Sequence, residues 1–154
     1  MMPMAFAQEA LPEAGITPDS GFLWGIDVAL DNIGMVLSPA YGIKVATERL
    51  SEIKAMADKG DIVSASKAEE ERQKALAVGI GAISVAEAES VLEIHINVLK
   101  QVLAKVPTEA QNSIQNAIDK SQEGLIKARE IKSLEGGEAK AVEVTPIYGA
   151  RQKP

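Results

Sequence analysis

Residues 85–134 constrain this chain more than any other stretch, because they read as two helices meeting at a proline. Val85, Ala88, Leu92, His95, Leu99, Val102 and Val106 follow one another at steps of three and four, which collects them on one stripe of a helix. Beyond Pro107, Ile114, Ile118, Leu125 and Ala128 form a matching stripe. A proline cannot continue the first helix but is tolerated in the first turn of the next. So short a connection predicts two antiparallel helices, each covering the other's apolar face. Leu99 and Ile114 lie seven residues before Val106 and seven after Pro107, so a tight turn brings their levels together in the core.

The remaining helices follow from the same periodicity. Thr17-Pro18-Asp19-Ser20 supplies N-cap candidates, Asp19 and Ser20 above all, for a helix running to about Leu37. Leu23, Ile26, Leu30, Ile33 and Leu37 form its apolar face, with Trp24 and Val28 beside it. Gly21, Gly25 and Gly34 weaken this helix and permit close backbone approach. That face reads first as packing within the chain, and alternatively as a surface for a partner or lipid. Ser38-Pro39 restarts a second helix, with Ser38 as N-cap, to about Lys59. Its stripe is Ile43, Ala46, Leu50, Ile53 and Ala57, with Lys44 and Glu48 paired on a polar face. Gly60 closes it and Asp61 caps the next.

A third helical region spans 62–106. Its KAEEERQK run has mixed signs and reads as a solvated face, with Glu70 and Lys74 as an i,i+4 pair. Gly79 and Gly81 predict a bend within continuous helix, or a break restarting at a Ser84–Glu87 capping box. The fourth helix should stop at Glu135-Gly136-Gly137. Val142-Glu143-Val144 then reads as part of a loose tail, an edge strand, or a strand added to a partner's sheet. The predicted fold is all-α: an elongated bundle of about four long antiparallel helices over 19–134, after an extended leader at 8–18 and before an extended or loosely ordered tail at 135–154. Aromatic residues make up only 3% of the chain, so aliphatic side chains and alanine must fill the core, which suits packed helices.

Charge and composition exclude several functions. A net charge of −6 argues against nucleic acid and against anionic lipid surfaces. The absence of cysteine removes disulfides, thiolate catalysis and cysteine-ligated metals. No run approaches the roughly 18 apolar residues of a membrane helix, so an integral membrane protein is not expected. Met1–Ala7 is apolar and ends in Ala5-Phe6-Ala7 before Gln8, an A-x-A cleavage signature. It reads as a signal-peptide remnant with Gln8 as the mature start; the alternative is a short cytoplasmic N-terminus. Partners are therefore expected to be proteins, or further copies of the chain, outside the cytoplasm.

The sequence shows no phosphate-binding glycine loop, no His-Glu-x-x-His and no nucleophile elbow. No catalytic or cofactor-binding residue is expected. His95 is the sole histidine. Its place between Leu92 and Leu99 predicts a core histidine bonded to a backbone carbonyl or carboxylate, with metal or proton chemistry as the alternative. On that stripe position alone, His95→Leu should be tolerated within about 1.5 kcal/mol. Glu87, Glu89 and Glu93 lie on the same helix, but Glu89 and Glu93 diverge from its stripe.

Several of these residues carry a resemblance. His95, Val98, Leu99, then Lys105-Val106-Pro107, Glu109-Ala110, and Ser121 with Gly124 resemble the hallmark of an uncharacterised family of exported archaeal and bacterial helical proteins, a domain of unknown function. The run from Thr17 and the segment AYGIKVATERLSEIKAMADKGD are similar to the family's earlier helices, so the likeness spans most of 16–130. Gly21 stands where the family usually has proline, and Leu125 where archaeal members often have histidine. The resemblance implies an exported all-α protein and brings no activity. The expected function is a non-enzymatic secreted or cell-envelope protein acting as a structural, scaffold or oligomerising module. The alternative is a small extracytoplasmic metal- or stress-responsive binding protein using His95.

Overall fold

The computed structural model describes residues 11–141, with side chains described through residue 135. Ala5-Phe6-Ala7, Gln8 and Val142-Glu143-Val144 lie outside the described residues. After a single 3₁₀ turn at Pro18–Ser20, five helices follow: α1 (Phe22–Leu37), α2 (Tyr41–Lys59), α3 (Ile62–Ile80), α4 (Val85–Leu103) and α5 (Thr108–Ala141). There is no strand among the described residues. The regular structure of the described residues is all helical, as the periodicity predicts.

The fifth helix arises because residues 62–106 do not continue through a bend. The chain breaks after Ile80 and restarts at Ser84, whose hydroxyl accepts from the Glu87 amide while the Glu87 carboxylate takes the Ser84 amide. This reciprocal cap satisfies donors that a new helix would otherwise leave bare. Three other boundaries differ from expectation. Asp19 and Ser20 belong to the 3₁₀ turn, and Gly21, at φ +60, stands before α1 without a side-chain cap. Ser38-Pro39-Ala40 forms a turn whose carbonyls accept from Tyr41, Gly42 and Ile43, so α2 begins later. Finally, α5 does not stop at Gly136-Gly137 but runs to Ala141. Gly60, at φ +78, and Asp61, accepting from the Ser64 amide, divide α2 from α3 as predicted.

Two antiparallel hairpins make up most of the molecule. In one, α2 and α3 approach so closely that a Cβ on Gly42 would sit 2.5 Å from the Ala75 carbonyl oxygen, and one on Gly79 would sit 2.6 Å from the Ile43 nitrogen. The start of α2 thus lies on the end of α3. In the other, Leu92 near the start of α4 faces Gly124 on α5. Arg129 of α5 bonds Glu89 at 3.0 Å and Glu93 at 2.6 Å, and Lys132 bonds Glu89 at 3.0 Å. These exposed pairs contribute little stability but mark the register of the two helices. Leu99 and Ile114 are both buried, as the stripes predicted.

The centre of the core is α2. Val45, Ala46, Leu50, Ile53 and Met56 are buried, and so are Arg49 and Glu52. Against it α3 turns Ala65, Ala68, Arg72, Ala75 and Gly79, a stripe at steps of three and four built almost wholly from small residues. The KAEEERQK run is therefore not a uniformly solvated face: Ala68, Glu69 and Arg72 point inward. Lys74 pairs with Glu71 at 2.6 Å rather than with Glu70.

Candidate functional site

The interior holds two arginines, each about 1% exposed, and each organises a polar cluster. A buried guanidinium cannot shed its charge and has five donors to satisfy, so whatever surrounds it must accept hydrogen bonds. Arg72 on α3 grips Glu69 with both ends of its fork, Nε to Oε2 at 2.6 Å and Nη2 to Oε1 at 2.9 Å. Its Nη2 also points at Ser121 Oγ on α5, 3.5 Å away. Its Nη1 lies 3.0 Å from His95 Nδ1 on α4.

That last contact decides the state of His95. Arginine only donates, so Nδ1 accepts and the ring proton sits on Nε2. There it faces Thr47 Oγ1 on α2 at 3.4 Å, and that hydroxyl in turn donates to the Ile43 carbonyl. Burial and the neighbouring Arg72 charge push the His95 pKa from its ordinary 6.5 down to about 3. The imidazole is neutral throughout the physiological range, with its one lone pair on Arg72. His95 is a buried core residue, but its partners are a guanidinium and a hydroxyl rather than a carbonyl or carboxylate. This geometry offers a metal no ligand without breaking the Arg72 contact. Among the described residues, no three His, Asp or Glu side chains converge as a metal site would require. Ser121 Oγ donates to the Ala117 carbonyl at 2.9 Å, which leaves it no base.

The second cluster joins α1 to α2. Arg49 bonds Asp27 at 2.9 Å, and Asp31 and Glu52 as well. Its guanidinium lies 5.5 Å from the Trp24 ring centre, and the Trp24 indole donates to Glu52 at 3.0 Å. Tyr41 donates to Asp31 at 3.2 Å. Burial raises the Glu52 pKa against the opposing pull of Trp24 and Arg49. Burial also works against the Arg49 charge, but Glu52, Asp27 and Asp31 outweigh it and its pKa rises. Among the described residues, Arg49 Nε is a buried donor without a hydrogen-bond partner.

The cluster has a consequence for α1. Trp24, Asp27, Asp31 and Met35 face the bundle, one residue and roughly 100° round the helix from the apolar stripe. The stripe itself faces outward. Leu23, Ile26, Leu30, Ile33 and Leu37 are all exposed, with Leu30 at 62% and Leu37 at 81%. Phe22 and Val36 extend the patch. The first reading of this face, as packing within the chain, is overturned. The carboxylates of α1 supply what the buried Arg49 needs, and meeting that need turns the aliphatic side to solvent.

One cavity of about 400 Å³ opens between α3, α4 and α5, beside Arg72 and Ser121. Leu76, Ile80 and Leu92 wall it, and Lys120 and Lys127 stand at its mouth. Its polar neighbours bond to one another: Gln73 donates to Glu69 at 2.8 Å, and Lys120 donates to Gln73 at 3.0 Å.

Sequence reasoning found His95 but missed Arg49, Arg72, Glu69 and Glu52. One signal for Arg72 existed in the sequence: it stands inside the Ala65–Gly79 small-residue stripe, where a solvated arginine would not be expected. Arg49 carried the same signal, three residues after Ala46 and four before Ile53, inside the buried stripe of α2.

Together these features define an all-helical protein whose buried arginine clusters link its helices and whose first helix carries an exposed apolar face. The chain belongs to a domain family of unknown function (DUF5667), whose model matches residues 15–109. The match covers α1 to α4 and the start of α5; Ser121 and Gly124 lie beyond it. No curated protein and no solved structure matches the chain. No helix among the described residues is long and apolar enough to cross a membrane.

Proposed function

We propose that the chain is a non-enzymatic helical module, secreted or held in the cell envelope, that works through its surface as a structural or oligomerising element. In this reading α2 to α5 form a four-helix antiparallel bundle, and α1 is an arm laid against it to present an apolar face. The observation that carries the reading is the outward stripe of α1, whose exposed residues from Phe22 to Leu37 include no charged side chain. A contiguous exposed apolar face of this kind marks a surface that a partner covers. The Ala5-Phe6-Ala7 run supports export.

Both parts can be tested in cells that express the complete precursor with its native signal. The protein should appear in the envelope or medium with Gln8 at its N-terminus; a cytoplasmic product beginning at Met1 would count against export. A photo-crosslinking amino acid at Ile33 should join the chain to a protein, either another copy or a different one. If Ile33 yields no protein adduct while the protein is folded and exported, the surface reading fails.

A further inference from the structure

We infer that the outward stripe of α1 pairs with the same stripe of a second copy of this chain, as an antiparallel helix pair about a two-fold axis near Leu30. The inference rests on the reading of α1 as a working surface and names what occupies it.

Area is the first argument. The seven exposed aliphatic and aromatic side chains of α1 present roughly 800 Å², the share one partner contributes to a standard protein interface. A monomer's largest apolar patch is usually only about 300–600 Å². Charge is the second. The chain carries a net −6, yet Asp27 and Asp31 are turned to Arg49, so two copies can meet on this face without bringing like charges together. A two-fold contact sets the same patch of each copy against the other, and a face without exposed charges can do so without like-charge repulsion.

Spacing sets the orientation. Leu23, Leu30 and Leu37 alternate with Ile26 and Ile33 at steps of three and four, the seam of a coiled coil. In a parallel arrangement, leucine at the first seam position and isoleucine at the second favours four strands over two. Four strands would need each helix open to two neighbours, but α2 and α3 already back one side of α1. An antiparallel pair mixes the two layers and needs one open side. Lipid fits less well. Helices that lie on membranes rely on flanking Lys and Arg, and residues 21–40 contain neither.

Sedimentation equilibrium of the purified full chain should give twice its 16.3 kDa mass at concentrations up to about 100 µM. Leu30→Asp with Ile33→Asp should weaken the dimer at least about 100-fold, by burying charges without partners. Helical circular dichroism should be unchanged, because both positions are exposed. Ile131→Asp, exposed on α5, should leave the dimer intact. The chain has no native cysteine, so single thiols report contacts cleanly. Leu30→Cys should link to itself under a short bismaleimide. Leu23→Cys should not, since its copies lie about 20 Å apart in the antiparallel pair.

A wild-type monomer at the highest concentration overturns the inference, whether or not it floats with phosphatidylcholine vesicles. A dimer that survives the double Asp variant places the contact elsewhere and also overturns it. Self-linking of Leu23→Cys overturns the antiparallel arrangement. An Ile33 photo-adduct with a different protein in cells, alongside a monomer in vitro, would leave the surface reading standing and remove only self-pairing.

Discussion

Replacing His95 tests how much of the core depends on one acceptor atom. His95→Leu would leave Arg72 Nη1 facing a methyl group inside the bundle, and an unpaired buried guanidinium donor is costly. The tolerance suggested by the apolar stripe therefore gives way to an expected loss of roughly 2–4 kcal/mol. His95→Gln, whose carbonyl can take the same donor, should lose less. The titration of His95 gives a second readout. Its folded pKa of about 3 lies below its ordinary 6.5, so between those values the unfolded chain binds a proton that the folded chain refuses. The stabilising contribution is complete above about pH 6.5 and is lost as pH falls towards about 3, at up to about 1.4 kcal/mol per pH unit. Glu52, with its raised pKa, pulls in the opposite direction, but it is present in wild type and variant alike. Urea midpoints at pH 7.5 and 5.0 should thus fall more steeply with acid in wild type than in His95→Gln. Equal slopes would mean that His95 is not held neutral.

At the scale of elements, three glycines separate close packing from open helix. Gly42 and Gly79 sit where α2 and α3 meet backbone to backbone, so a methyl group at either must push the helices apart. Gly42→Ala and Gly79→Ala should each cost about 1–3 kcal/mol. Gly25 on α1 has nothing within 4 Å of where a Cβ would lie, so it makes no close approach. Gly25→Ala should stabilise α1, by at most about 1 kcal/mol, through helix propensity alone. Thermal unfolding of the three variants checks the contrast; a destabilising Gly25→Ala would mean that α1 packs differently from the structure described.

For the molecule as a whole, the Arg72 cluster reaches α3, α4 and α5 directly and α2 through His95, while the Arg49 cluster holds α1 to α2. The aliphatic layers around them supply most of the stability. Leu99→Ala and Ile114→Ala, both fully inside, should each cost roughly 2–5 kcal/mol. Glu70→Ala and Lys74→Ala, both on the exposed side of α3, should cost no more than about 0.5 kcal/mol. Urea unfolding of these four variants separates core from surface, and core losses as small as the surface ones would dissolve the hairpin assignment.

The α4–α5 hairpin, the α2 stripe, the Gly60-Asp61 junction and the Ser84–Glu87 cap were all legible in the sequence. Each depends on residues within a turn or two of one another, where helical period and capping chemistry decide. The outward face of α1 and the buried face of α3 were not. Both turn on buried arginines whose partners lie 18 to 23 residues away, the Asp31 carboxylate for Arg49 and the neutral His95 ring for Arg72. Hydrophobic periodicity assigns an aliphatic stripe to the interior and a charged run to water. On α1 a buried guanidinium reverses that assignment: the carboxylates that pair with Arg49 share one side of the helix, and the leucines on the other side are left facing out. Local spacing determined which helices form; only the tertiary structure, by bringing buried guanidinium groups and distant acceptors together away from water, decided which way two of them face.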